Sequence, residues 1–92
     1  MNLREYAGEQ SPCCLTKDQM QQRGYAELFR ECYLLLQAYG QPNDTDEFWE
    51  AAIAKAGEIG EKYKGGRLEQ MARKLIVEIL SEIERVYKEG RA

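Results

Sequence analysis

Apolar positions in this chain recur at helical spacing, in three blocks separated by glycine and proline. In the first block Tyr25, Leu28, Cys32, Leu35 and Tyr39 follow one another at steps of three and four. That period marks a single buried stripe on an α-helix. Phe29, Tyr33 and Leu36 widen it. Thr16 and Gln19 stand at the spacing of a capping box, and Leu15 and Met20 are placed to staple over it. Gly40 and then Pro42 end the block. The pattern predicts a helix over 17–39, with a weak point at Gly24, since an interior glycine costs about 1 kcal/mol against alanine.

The second block opens on Asn43-Asp44-Thr45-Asp46-Glu47, where Asp44 and Glu47 resemble a capping box. Its stripe runs through Trp49, Ala52 or Ile53, Ala56, Ile59 or Gly60, and Tyr63. Ala51, Ala52, Ala54, Ala56, Gly57 and Gly60 are small enough to let a neighbouring helix come close. Gly65-Gly66 stops it, which predicts a helix over 45–64. In the third block Ala72, Ile76, Ile79, Ile83 and Val86 form the seam, flanked by Leu68, Met71, Leu75, Leu80 and Tyr87. Glu69 with Arg73, Lys74 with Glu78 and Glu84 with Lys88 stand four apart, the spacing of ion pairs on an exposed helix face. This helix is expected over 67–89, stopped by Gly90. No period-two alternation competes.

Helices of about 20 residues are roughly 30 Å long, and short linkers make sequential helices antiparallel. The expected fold is an all-α three-helix bundle over residues 17–92. Residues 1–16 form a lead-in, with a short helical turn around Leu3–Ala7 that Pro12 would end. The third helix carries more apolar side chain than one seam needs, and Val77 falls well away from that seam. Tyr33, Leu34 and Leu36 likewise widen the first helix beyond a narrow stripe. Either residues 1–16 cover this excess or a second copy does, and a small domain gains core by pairing with a copy of itself. We therefore expect a self-associating chain, a homodimer, with Leu75, Val77, Leu80, Ile83 and Tyr87 as its contact residues.

Composition narrows the chemistry. The 92 residues carry 13 bases, 16 acids and no histidine, for a net charge of −3. Histidine-based catalysis and histidine-ligated metal are excluded, and no cofactor is expected. The longest apolar run is Cys32–Leu36, far short of the ~20 residues of a membrane span, and no signal-peptide pattern opens the chain. The three cysteines, Cys13, Cys14 and Cys32, make neither a paired framework nor a four-ligand zinc site. Reduced thiols and a cytoplasmic location are the expectation.

Acids concentrate in the second block, where Asp44, Asp46, Glu47, Glu50, Glu58 and Glu61 face three lysines. Bases gather loosely around the Gly65-Gly66 turn as Lys62, Lys64, Arg67, Arg73 and Lys74, each with acids nearby. A helix–turn–helix across that turn would lack the net positive potential that phosphate binding requires. Direct nucleic-acid binding is not expected.

Glu58-Ile59-Gly60-Glu61, followed by Glu78 and Glu82, resembles the carboxylate pairs of the all-α MazG-type nucleotide pyrophosphohydrolases. Those enzymes hold magnesium with an E-x-x-E pair on one helix and an E-x-x-D pair on the next. The resemblance covers about the last 35 residues and implies a degenerate member, because Ser81 stands where the pattern has aspartate. The helical phase also turns Glu58 outward, whereas metal carboxylates in bundles project inward. The composition also resembles that of short acidic helical products of phages and mobile elements, which include inhibitors of host nucleases and defence systems. The reading these observations favour is a non-enzymatic protein-interaction module: an adaptor, regulator or inhibitor. Its acidic face (Asp44, Asp46, Glu47, Glu50, Glu58, Glu61) would meet a basic partner protein. A small-molecule or nucleotide-sequestering helical oligomer, with tyrosines around an intersubunit pocket, is the alternative of a different class.

Overall fold

The computed structural model describes residues 13–91, with only the backbone of Arg91. The short helix expected around Leu3–Ala7 lies outside the described residues. Among these the chain is all-α, in four helices: α1, Lys17–Gln22; α2, Tyr25–Tyr39; α3, Asp46–Tyr63; α4, Glu69–Arg91.

The helix expected over 17–39 is divided at Gly24. The capping box forms as anticipated: the Gln19 amide donates to Thr16 Oγ1 at 3.1 Å and the Thr16 amide to Gln19 Oε1 at 2.9 Å. Six residues later the Arg23 amide closes the turn on the Gln19 carbonyl, and Gly24 takes φ +83° as the N-cap of α2. A side chain rarely adopts that left-handed backbone. A Cβ at Gly24 would also stand 3.1 Å from Leu68 Cδ1. The glycine therefore serves as a hinge between two helices, where the sequence suggested a soft spot in one. Gly40 has a different necessity. Its φ is an ordinary −75°, but a Cβ there would fall 2.6 Å from the Leu36 carbonyl oxygen.

Thr45, rather than Asp44, caps α3: its Oγ1 accepts from the Phe48 amide at 3.2 Å. Asn43 Oδ1 in turn accepts from the Thr45 amide at 2.9 Å. Helix α4 passes through Gly90, which the pattern read as its stop. Its exposed pairs form at Glu69–Arg73 (3.0 Å) and Glu84–Lys88 (2.9 Å). The expected Lys74–Glu78 pair does not form; Arg85 takes both Glu78 (3.0 Å) and Glu82 (2.9 Å) instead.

Every two of the long helices α2, α3 and α4 pack on each other, and α1 packs on α2. Because the linkers are short, α2 and α4 run parallel and α3 antiparallel to both. The core has two clusters. Leu28, Cys32, Leu68 and Ala72 join α2 to α4 and the turn before it. Leu35, Ala56, Ile59 and Ile76 join all three long helices. Ile83 is wholly buried further along α4. On α3 the stripe resolves to Ala52, Ala56 and Ile59, which leaves Ile53 61% exposed. Burial of large side chains at 0–1% exposure (Leu28, Leu35, Ile83) contributes about 1.5–3 kcal/mol each.

Gly24→Ala should destabilise the fold by about 1–2 kcal/mol, the cost of a left-handed non-glycine residue. Gly57→Ala, on an exposed turn of α3 where a Cβ meets nothing within 4 Å, should stabilise it by about 0.4–1 kcal/mol. Urea unfolding monitored by circular dichroism measures both, and a destabilised Gly57→Ala would contradict this account of α3.

Candidate interaction surfaces

The acids anticipated from the sequence share one surface. Asp46, Glu47, Glu50, Glu58 and Glu61 lie on the side of α3 away from Ala52, Ala56 and Ile59, and Asp44 sits in the loop just before. All six are exposed. Among the described residues Glu61 alone of the six forms an ion pair, at 3.8 Å to the exposed Lys64. Asp46 and Glu47 occupy the first turn, where they complement the positive helix end. Glu61 stands in the last turn, where the helix dipole disfavours it, and Glu58 one turn earlier gains nothing from the positive end. Helix stability accounts for the first two acids and not for the last two.

The basic cluster around Gly65-Gly66 is largely engaged within the chain. Lys62 bridges Glu27 and Glu31 of α2, with Nζ 3.0 Å from Glu31 Oε1 and a second bond to Glu27. The two carboxylates hold the Lys62 pKa above its ordinary value. Arg67 lies over the Tyr25 ring at 5.8 Å. Arg73 pairs with Glu69, whose other oxygen accepts from the Gly65 amide at 2.9 Å. These bonds tie the turn together and offset its positive charge locally. Sequence spacing does not reveal the Lys62 bridge, because its partners are 31 and 35 residues away.

Tyr63 lies beside this bridge. Its hydroxyl and Glu31 Oε2 are both shielded from solvent, and neither completes a hydrogen bond of normal geometry among the described residues. Burial first, then the facing Glu31 carboxylate, pushes the Tyr63 pKa up to about 12. Cys32 belongs to the core as its position among leucines implied, and burial raises its pKa. Cys13 is exposed and Cys14 half-buried, in the turn before α1; none of the three forms a disulfide.

At the other end of the bundle four aromatic rings stand edge to face in sequence. Tyr39 meets Phe48 at 5.6 Å, Phe48 meets Trp49 at 5.0 Å, and Trp49 meets Tyr87 at 5.5 Å. The Trp49 indole donates to the Asn43 carbonyl at 3.0 Å. This row joins the ends of α2, α3 and α4, so the aromatic excess noted in the sequence is partly structural.

The five residues assigned to self-association do not share a surface. Ile83 is wholly buried in the chain's own core, and Tyr87 packs on Trp49. Leu75 and Leu80 are half-buried on opposite flanks of α4, and Val77 is 62% exposed. Of the carboxylates that resemble a magnesium site, Glu58 and Glu61 face solvent on α3 and Glu78 and Glu82 bind Arg85. The described residues contain no group of three or more His, Cys, Asp or Glu placed to hold a metal ion. No described helix is long and apolar enough to cross a membrane. The pattern of burial leaves the residues that widen the first stripe uncovered among the described residues: Phe29, Tyr33 and Leu36 on α2 are exposed at 48%, 65% and 38%.

Comparison with family models, with characterised proteins and with solved structures finds no match to this chain.

The raised Tyr63 pKa has a definite sign. The fold favours the protonated phenol, so this contribution is complete below about pH 10 and is lost as pH rises towards 12. Absorbance titration at the phenolate band should show a step near pH 12 that Tyr63→Phe removes. Persistence of that step in Tyr63→Phe would show that it belongs to another tyrosine.

Proposed function

We propose that this chain is a small protein-interaction module, a self-associating bundle of three long helices and the short α1 that presents the acidic outer face of α3 to a basic partner protein. The observation that carries this reading is the set of six exposed acids, Asp44, Asp46, Glu47, Glu50, Glu58 and Glu61, with one long ion pair among them. Acids three or four apart on a helix repel one another by a few tenths of a kcal/mol per pair. Glu61 adds an unfavourable interaction with the end of α3. An opposing basic surface offsets both terms, and complementary potential also speeds encounter and sets the register of docking.

The proposed role is adaptor, regulator or inhibitor, with no catalytic step and no cofactor. The acidic face suits a partner that itself carries a basic surface, such as a nucleic-acid-binding protein. The bases near Gly65-Gly66, by contrast, are mostly spent on Glu27, Glu31, Glu61 and Glu69, which favours recognition of protein over direct contact with nucleic acid.

Immobilised wild-type chain and the Glu47→Lys/Glu50→Lys/Glu58→Lys variant should be compared by capture from the same lysate at low and raised salt. All three positions are exposed; Glu47→Lys costs up to about 1 kcal/mol at the start of α3, so circular dichroism should first show that the variant keeps its helix content. Proteins held by the wild type are expected to bind the variant at least about tenfold more weakly, and to weaken with salt. Equal capture by the two chains rejects the acidic face as the recognition surface.

A further inference from the structure

The acidic surface leaves the opposite side of the bundle without a role, and that side is apolar. On α2, Leu28, Cys32 and Leu35 point to the core. Glu27 and Glu31 flank this line on the side of α3, as their bonds to Lys62 establish. Phe29, Tyr33 and Leu36 therefore flank it on the side away from α3. On α4 the flank towards α3 is marked by Tyr87 against Trp49 and by Ile76 Cδ1, 3.9 Å from where a Gly60 Cβ would stand. The flank away from α3 carries Met71, Leu75, Glu78 and Glu82. Met71 and Leu75 pack, half-buried, on the cluster that joins α2 to α4. The two flanks adjoin along parallel helices and form one two-helix face.

We propose that a second copy of this chain packs on this face, with the two copies related by a two-fold axis and their helices antiparallel. The proposal rests on the self-association read above and names its surface. Charge selects the arrangement. Lys74 borders the face and forms no ion pair among the described residues, whereas Glu78 and Glu82 share the single guanidinium of Arg85. An antiparallel pairing centred between Lys74 and Glu78 sets each Lys74 opposite the partner's Glu78, twice over by symmetry. Because Leu35 of α2 is level with Ile76 of α4, the same axis brings Tyr33 and Leu36 of one copy near the same side chains of the other, with Phe29 towards the edge of the contact. Of the residues assigned to self-association from the sequence, Leu75 alone lies on this face; Val77 is on the far flank of α4.

Sedimentation equilibrium over about 1–100 µM, spanning the usual affinities of small homodimers, tests the proposal. The wild type is expected to be a dimer. Phe29→Glu/Tyr33→Glu, at positions already exposed in the protomer, should keep its helix content and become a monomer. Val77→Glu should remain a dimer. Lys74→Glu should weaken the dimer, and Lys74→Glu/Glu78→Lys should restore it. A wild type that is monomeric throughout the range overturns self-association and this proposal together. A wild-type dimer that survives Phe29→Glu/Tyr33→Glu leaves self-association standing and overturns the face.

Discussion

Burial of one side of α4 against two other helices at once is the constraint from which the rest of this structure follows. Leu68 and Ala72 meet α2 at one level, and Ile76 meets α2 and α3 together at the next. A helix that serves two neighbours must spread its apolar positions over a wide arc. Ala72 and Ile83, both at 0% exposure, mark the centre of that arc. Leu75 and Leu80 on its edges are only half covered. Three helices cannot close completely around such an arc, and the apolar surface left over belongs to the bundle as a whole rather than to one misplaced residue.

The small residues of α3 set the other dimension. Ala52 and Ala56 fill the inward stripe, so α3 comes close to α2 and α4 with little bulk of its own. Its specificity comes from its ends. Thr45, Asn43 and the row of aromatic rings hold the start of the helix, and the Lys62 bridge to Glu27 and Glu31 holds its finish. Such exposed pairs add little stability individually. Their effect is to fix which side of α2 faces α3, and therefore which side is left facing away. The acidic outer surface of α3 and the apolar surface shared by α2 and α4 are two consequences of that orientation.

These surfaces suit different kinds of contact. Charge at an interface acts at range and is screened by salt, which fits an encounter with a separate partner. An apolar face edged by a few charges fits the proposed contact between copies, where the two-fold axis supplies complementarity. In a bundle with so small a core, the exposed line of a Phe, a Tyr and a Leu is the apolar surface that the proposed self-association would cover.

The all-α class, the seams of the three long helices and the acidic stripe were legible in the sequence, because each depends on spacing within one helix. Leu28, Cys32, Leu35, Ala72, Ile76 and Ile83 could be assigned to the interior from period alone. The division at Gly24 was legible only as a weakness, since helical spacing does not say whether an interior glycine bends a helix or divides it with a left-handed residue. Tertiary structure alone decided what each flank meets. Ile83 and Tyr87 looked available for a partner until the fold enclosed one and set the other against Trp49. Phe29, Tyr33 and Leu36 read in the sequence as apolar side chain in excess of one stripe, but which way they face was decided only when α3 took the other side of α2. Helical period fixes which residues share a face; only the packing of one helix on another determines which face is covered.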